Sequence, residues 1–401
     1  MPRIDFIYRR PILIKEPVMW SRTFTALFII SLILGIVGAA GSIFLPLLMK
    51  EEAIDYSIIG AVGALTGIGG GIAQLIVGAA SDRGLDRKLL IVLSMLFLSL
   101  SFAASYIARG LPAYVLISLA VGLCTPIVAT ISLAIISDRT SSEVMGRVMG
   151  SYRISRSIGW TVGNLSLGFI ADAYGSKSIL LYSSLFSSAA FLAALNIPGG
   201  GRLKRTVEAR GKATGELVLF LLSLGLVTMA ASADNYFIPL LAVDNGLSKS
   251  AVGTITALGS LVEIPFMLLS GVVTDRFGDK IVMLFGAVGF ALAYYRFNSA
   301  QVYLDFALAQ ALRGMSFALF YAASLALIGR LSRGSATVTG YYGLSRQVGS
   351  VVGPFLGGLV SNYLGLRETF IALSTMSLSA LIPMLPIYRR MSSSTSRSIQ
   401  R

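Results

Sequence analysis

The chain alternates long apolar runs with short breaks that are polar, basic or glycine-containing. A helix needs about 20 apolar residues to cross a hydrocarbon core, because backbone in lipid must satisfy its own N–H and C=O groups. Twelve such runs can be drawn, at 23–49, 57–81, 89–108, 111–137, 146–171, 178–197, 216–243, 250–274, 281–298, 302–329, 336–362 and 367–388. The predicted fold class is an all-α integral membrane protein with twelve transmembrane helices. The tightest break, Arg109-Gly110-Leu111-Pro112, carries the Gly and Pro that punctuate a turn.

The breaks also orient the chain. With the N-terminus inside, the outer loops hold only Lys50, Arg109, Lys177, Lys249, Arg296 and Arg367, Arg313 falls within a span, and the other basic residues gather in the cytoplasm. An even number of spans then puts both termini inside, in a multi-pass protein of the cell membrane. Pro198-Gly199-Gly200-Gly201 and the basic run to Lys212 read as a hinge-rich linker. The expected division is a cytoplasmic tail 1–22, a six-helix bundle 23–198, a linker 199–215, a second six-helix bundle 216–388 and a tail 389–401.

The two bundles repeat one another. Laying the second on the first puts Pro239-Leu240-Leu241 on Pro46-Leu47-Leu48 and Asp275-Arg276 on Asp82-Arg83. With a small gap, Gly340, Arg346, Gly349, Gly353, Gly358 and Gly365 then fall on Gly150, Arg156, Gly159, Gly163, Gly168 and Gly175. Repeats of six spans are the mark of several transporter folds that bind solute near mid-membrane.

Composition narrows the chemistry. Hydrophobic residues make up 55% of the 401 and charged residues 13%, far from the balance of a soluble domain. There is no histidine and one cysteine, Cys124, so no Cys- or His-based metal site and no disulfide within the chain can form; proton chemistry must run on carboxylates. The net charge of +14 is spread between apolar runs and forms no patch for nucleic acid. No cofactor is expected. Gly211-Lys212 is followed by Ala213 with no upstream Gly, so it is not an ATP-binding phosphate loop.

Two loops carry a family resemblance. The second-to-third loop reads Gly78-Ala-Ala-Ser-Asp82-Arg83-Gly-Leu-Asp-Arg87-Lys88, and the eighth-to-ninth reads Gly271-Val-Val-Thr-Asp275-Arg276-Phe-Gly278-Asp-Lys280. Both resemble the G-x-L-a-D-r-x-G-r-k signature of the major facilitator superfamily. In the first copy Leu85 stands where the second Gly would be, and Arg87-Lys88 is displaced by one residue. The resemblance implies two pseudo-symmetric bundles and a secondary transporter working as a monomer by alternating access.

The loop carboxylates suggest a cytoplasmic gate, because a helix N-terminus favours negative charge. Arg156 and Arg346 are read as lying near the cytoplasmic ends of spans five and eleven. Asp82 is expected to pair near Arg346 and Asp275 near Arg156, closing the cytoplasmic face when the outside is open, with Arg83, Arg87, Lys88, Arg276 and Lys280 around them. Span eleven also holds Gly349, Gly353, Pro354, Gly357 and Gly358, similar to a glycine-proline motif that exchangers of the family carry in span five; close helix packing is the reading preferred.

Charges at membrane depth are functional candidates by default. Asp234, Glu263 and Arg313 in spans seven, eight and ten are expected to meet, with Arg313 pairing alternately with the two carboxylates and a proton as coupling ion. Asn235, Tyr236, Gln310 and Tyr321 on these spans could bind a polar solute. The partners expected are therefore a small-molecule substrate, protons and the bilayer. Span composition leans to efflux of amphipathic compounds; proton-coupled uptake of a small polar metabolite or sugar is the alternative, and a non-transporting sensor or scaffold the rival of another class. An intramembrane enzyme would need a catalytic constellation that the sequence does not offer.

Overall fold

The computed structural model describes residues 21–108, 110–141, 144–199, 214–332 and 335–386, without the side chains of residues 81, 82, 146, 147 and 336. Most of the linker expected at 199–215, and both terminal tails, lie outside that set. The described residues form helices α1 (Arg22–Glu51), α2 (Tyr56–Asp82), α3 (Arg87–Ile107), α4 (Leu111–Arg139), α5 (Met145–Tyr174) and α6 (Ser178–Leu195) in the first half. The second half contributes α7 (Gly215–Asp244), α8 (Lys249–Phe277), α9 (Asp279–Ser299), α10 (Tyr303–Ser332), α11 (Ala336–Tyr363) and α12 (Leu366–Ser379).

Sequence punctuation explains most of the boundaries. Ser21, Asp86, Thr214, Ser248 and Ser335 each cap a helix by accepting from a backbone N–H two or three residues on. Gly84 and Gly278 take the left-handed φ at the two signature loops, 60° and 84°. The one-residue displacement of the first loop is thereby accounted for: Gly84 makes the turn a step earlier than Gly278 does in its own copy. In α1 a π-helical segment, Ala40–Phe44, immediately precedes Pro46. The widened turn takes the backbone past a proline that has no N–H to give, so α1 continues to Glu51 instead of ending there.

Ten of the helices combine membrane length with an apolar composition; α5 and α11 do not. They have 30 and 28 residues, long enough at 1.5 Å per residue to cross a core of about 30 Å. Glycine, serine and arginine dilute their composition, and several of these have inside places: Arg156, Ser157, Arg346 and Ser350 line the cavities, and Gly159, Gly163, Gly349 and Gly353 let neighbouring helices come close. The apolar residues that do reach the surface, such as Leu75, Leu185, Leu268 and Val272, are more than half exposed, as a bilayer-covered face requires.

The packing repeats. In the first half α1 lies on α5, α2 on α4, and α3 on both α4 and α6; in the second α7 lies on α11, α8 on α10, and α9 on both α10 and α12. The halves meet through two symmetry-related pairs, α2 with α11 and α5 with α8. Both pairs are zipped on the side opposite the chain termini. There a Cβ on Gly60 would collide with Pro354 O and Gly358, one on Gly168 with Lys249 and Ser250, and one on Gly253 with Asn164. Lys249 pairs with Glu51, and the Asp172 carboxylate accepts from the Lys249 and Ser250 amides at 3.1 and 2.8 Å. Toward the terminal side the glycines of the same helices, Gly78, Gly150, Gly271 and Gly340, have nothing within 4 Å of where a Cβ would stand. The molecule is closed on one side and parted on the other.

Candidate functional site

Two adjoining cavities, of about 300 and 370 Å³, lie between the halves at mid-height and share Arg156, Trp160 and Asn235. Each is in the size range that holds a small metabolite. Their position follows from the packing: the helices that zip at one end diverge toward the other.

Behind the first cavity lies the charge cluster. Asp234 is wholly buried in α7, where an unpaired charge would cost about 2.5–3.5 kcal/mol or more. Arg313 of α10 meets it with one edge of its guanidinium, Nε donating to Oδ2 at 2.5 Å and Nη2 to Oδ1 at 2.6 Å. Such a bidentate pair fixes direction as well as charge. Tyr294 of α9 donates its hydroxyl to Oδ2 at 2.7 Å, and Asn235 Oδ1 accepts from Arg313 Nη2 at 3.2 Å. Four groups from three helices thus neutralise one another.

Glu263 of α8 stands apart from that group. It lines the same cavity as Arg313 but makes no ion pair with it; the guanidinium is committed to Asp234. The expected three-way cluster therefore has one closed pair and one carboxylate facing the cavity. Gln310 lines that cavity too, packed on Gly259, with its Oε1 lacking a hydrogen-bond partner among the described residues.

The other expected residues divide between the two cavities. Tyr236 lines the second, donating to Thr66 Oγ1 at 3.3 Å and so reaching across from one half to the other. Tyr321 lines neither; its hydroxyl donates to Thr228 at 3.1 Å and its ring lies under the Arg346 guanidinium at 5.0 Å. Gln347, which the sequence reading passed over, donates to Gly67 O across the α2–α11 seam. Trp160, equally passed over, walls both cavities. Tyr294 was missed as well.

The gate expectation needs correction. Arg156 and Arg346 do not lie at helix ends: each stands about three turns into its helix and lines the cavities. The antiparallel register that sets Gly60 on Gly358, Gly67 on Ser350 and Gly70 on Gln347 also separates Asp82 from Arg346. Extended down α2, it brings position 82 opposite Ser335 and Ala336, the start of α11. The Asp82 side chain lies outside the described set. Asp275, Arg83 and Arg276 are exposed, with Arg276 over the Phe277 ring. Arg87 pairs with Asp138 at 2.7 Å, Lys88 donates to Leu195 O and Lys280 pairs with Glu216, all within their own halves. These basic residues stitch helices inside each bundle.

The glycine-proline stretch of α11 is a two-sided seam. A Cβ on Gly349, Gly353 or Gly357 would strike Thr228, Met229 and Phe237 of α7, while Pro354 and Gly358 abut Gly60 of α2. Close packing accounts for every glycine of the motif.

Comparison with known proteins agrees with this geometry. The model of the Major Facilitator Superfamily matches residues 23–221 and 220–400, one match for each half. An uncharacterized transporter of Bacillus subtilis, YwbF, is 23% identical over 83% of this chain and 85% of its own length. The puromycin resistance protein pur8 of Streptomyces alboniger is 32% identical over 43% of this chain and 36% of its own. Among solved structures, the nucleoside transporter NupG superposes with a TM-score of 0.76 at 16% identity, over 92% of this chain and 99% of that one.

Proposed function

The chain belongs to the major facilitator superfamily and is a membrane transporter, and from that premise we propose that it moves a small solute by alternating access and couples this to protons. The observation that carries the reading is the division of labour among the mid-membrane charges. Asp234, Arg313 and Tyr294 form a closed, buried set, while Glu263 faces the cavity with no ion pair among the described residues. A carboxylate so placed can take a proton from the water of the cavity, and in its charged form it draws on the guanidinium that Asp234 now holds. The state described, parted on the terminal side, is the one open to the cytoplasm once the basic loops place both termini inside.

The cavity wall favours uptake of a small polar metabolite. The lean to amphipathic efflux rests on whole-span composition, but in α2, α8 and α11 many of the large apolar side chains, Leu75, Leu268 and Leu344 among them, are exposed on the surface and do not line the cavities. The second cavity is lined by Ser42, Thr66, Ser232, Asn235, Gln347 and Ser350 together with Arg156 and Arg346, among glycines and beside Val121, Pro126, Trp160, Tyr236 and Pro354. Efflux keeps two observations in its favour, the aromatic wall made by Trp160 in both cavities and Phe317 in the first, and the similarity to a puromycin resistance protein.

Purified protein in liposomes loaded with a pH-sensitive dye tests the coupling. A nucleoside, a pentose, a small carboxylate and puromycin are added in turn under an imposed pH gradient. The expected result is a solute-evoked proton flux in the wild type that is lost in Glu263→Gln. Equal flux in both proteins would remove Glu263 as the proton carrier.

A further inference from the structure

We infer that the cavities hold an organic anion, carboxylate or phosphate, clasped between Arg156 of the first half and Arg346 of the second; this rests on the reading of the same cavities as the transport site. Both arginines line the second cavity, and Arg156 the first as well. Neither has a carboxylate partner among the described residues. Arg346 lies over the Tyr321 ring, which polarises toward a cation but leaves the N–H groups of the guanidinium to other acceptors. Arg156 is half-buried and Arg346 exposed to the open space, whereas the buried Arg313 is neutralised by Asp234. Two guanidiniums left unneutralised in a solute-sized space mark a place for a ligand's negative charge, which their planar forks recognise in pairs of N–H···O bonds.

Symmetry strengthens the assignment. Arg156 and Arg346 occupy matching positions in the internal repeat, on α5 and α11, the helices that join the halves. An anion held by both would bridge the bundles, so its binding favours whichever state brings the two arginines together. Closure of the parted side is such a movement. The solute would thereby supply part of what drives it.

Charge balance then sets the sense of coupling. Among the described residues lining the two cavities, Glu263 is the single acid, against Arg156, Arg313 and Arg346. Arg313 from α10 and Arg156 from α5 line the cavity with Glu263, while Asp234, behind Arg313, is taken up by Arg313 and by the Tyr294 hydroxyl. An ionised Glu263 competes with a bound anion for the same positive field; a protonated one does not. Proton and anion therefore bind more tightly together than apart, and linkage makes them travel in the same direction.

The test reads the charge of the site without knowledge of the substrate or any need for transport. Cys124, which is buried, is replaced by Ala, and Ser157, which lines the first cavity beside Arg156, by Cys. Purified protein is then labelled with methanethiosulfonates of equal reach, one bearing a sulfonate and one a trimethylammonium. The expected result is sulfonate labelling favoured at least tenfold over the ratio seen with a free thiol. Added Arg156→Gln or Arg346→Gln should lower that preference, Arg346→Lys should keep most of it, and Glu263→Gln should raise it. High salt lowers it in the unsubstituted background, which serves where an arginine variant does not fold. A preference for the cation, or one indifferent to both arginines and to salt, would overturn the anion site. A sulfonate preference untouched by Glu263→Gln would overturn the shared binding of proton and anion alone. Loss of proton flux in the liposome assay with the labelling preference intact would sink the transport reading and leave the site standing.

Discussion

Asp234, wholly buried, holds Arg313 through two short hydrogen bonds, so each leaves the other stranded if removed. Asp234→Asn is expected to lower the stability of the folded protein by about 3–5 kcal/mol, because it leaves a buried guanidinium uncompensated. Tyr294→Phe removes one hydrogen bond to that charge and should cost about 1.5–3 kcal/mol, while Glu263→Gln, at a cavity wall, should change thermal denaturation little. Unfolding in detergent with all three variants checks the order; equal stability of Asp234→Asn and Glu263→Gln would contradict the pairing. Asp234, Glu263 and Arg313 were legible in the sequence because a charge in a long apolar run is costly and calls for a partner, whether in a static salt bridge or in a working site. Tyr294 was not, since tyrosines are common in spans and its partner lies sixty residues away. Arg156 and Arg346 were legible as a repeated pair but not as cavity residues. In a span as rich in Gly and Ser as α5, hydropathy does not show where the lipid begins.

At the scale of helices, the seams divide into those inside a bundle and those between bundles, and glycine serves both. Gly353 sits inside the second bundle against Met229 and Ser232 of α7, whereas Gly253 lies between bundles against Asn164 of α5. Gly353→Val should therefore depress thermal stability. Gly253→Val should leave each bundle intact and prise apart the side opposite the termini. A cysteine replacing Ser42 in a Cys124→Ala background, at the cavity wall, reports this through an impermeant maleimide applied to intact cells. Labelling should rise in Gly253→Val, and unchanged labelling would mean that the α5–α8 seam does not close that side. The glycine spacing was readable in advance, but which neighbour each glycine admits depends on the antiparallel register of α2 against α11. That register exists only once the helices are packed. It also moves the expected contact of position 82 from Arg346 to the start of α11, where N–H groups and the helix dipole favour an anion.

For the whole molecule, the repeat, the twelve helices and the two halves were legible because lipid enforces helix length and the basic loops enforce direction. The state was not, because a sequence encodes both arrangements of a two-state carrier. In the arrangement described, the seams are zipped on the side opposite the termini and parted on the terminal side. Alternating access requires the reverse to exist as well. Spin labels along α2 and α11, one pair replacing Ala79 and Tyr341 toward the terminal side and one replacing Asp55, just before α2, and Tyr363 at the other, measure both ends of the α2–α11 seam. In lipid nanodiscs across a pH series, the two distances should change in opposite senses, and Glu263→Gln should hold the balance near its acid-pH position at every pH. Distances that stay fixed, or that lengthen and shorten together whatever occupies position 263, would contradict proton-coupled alternating access in this protein.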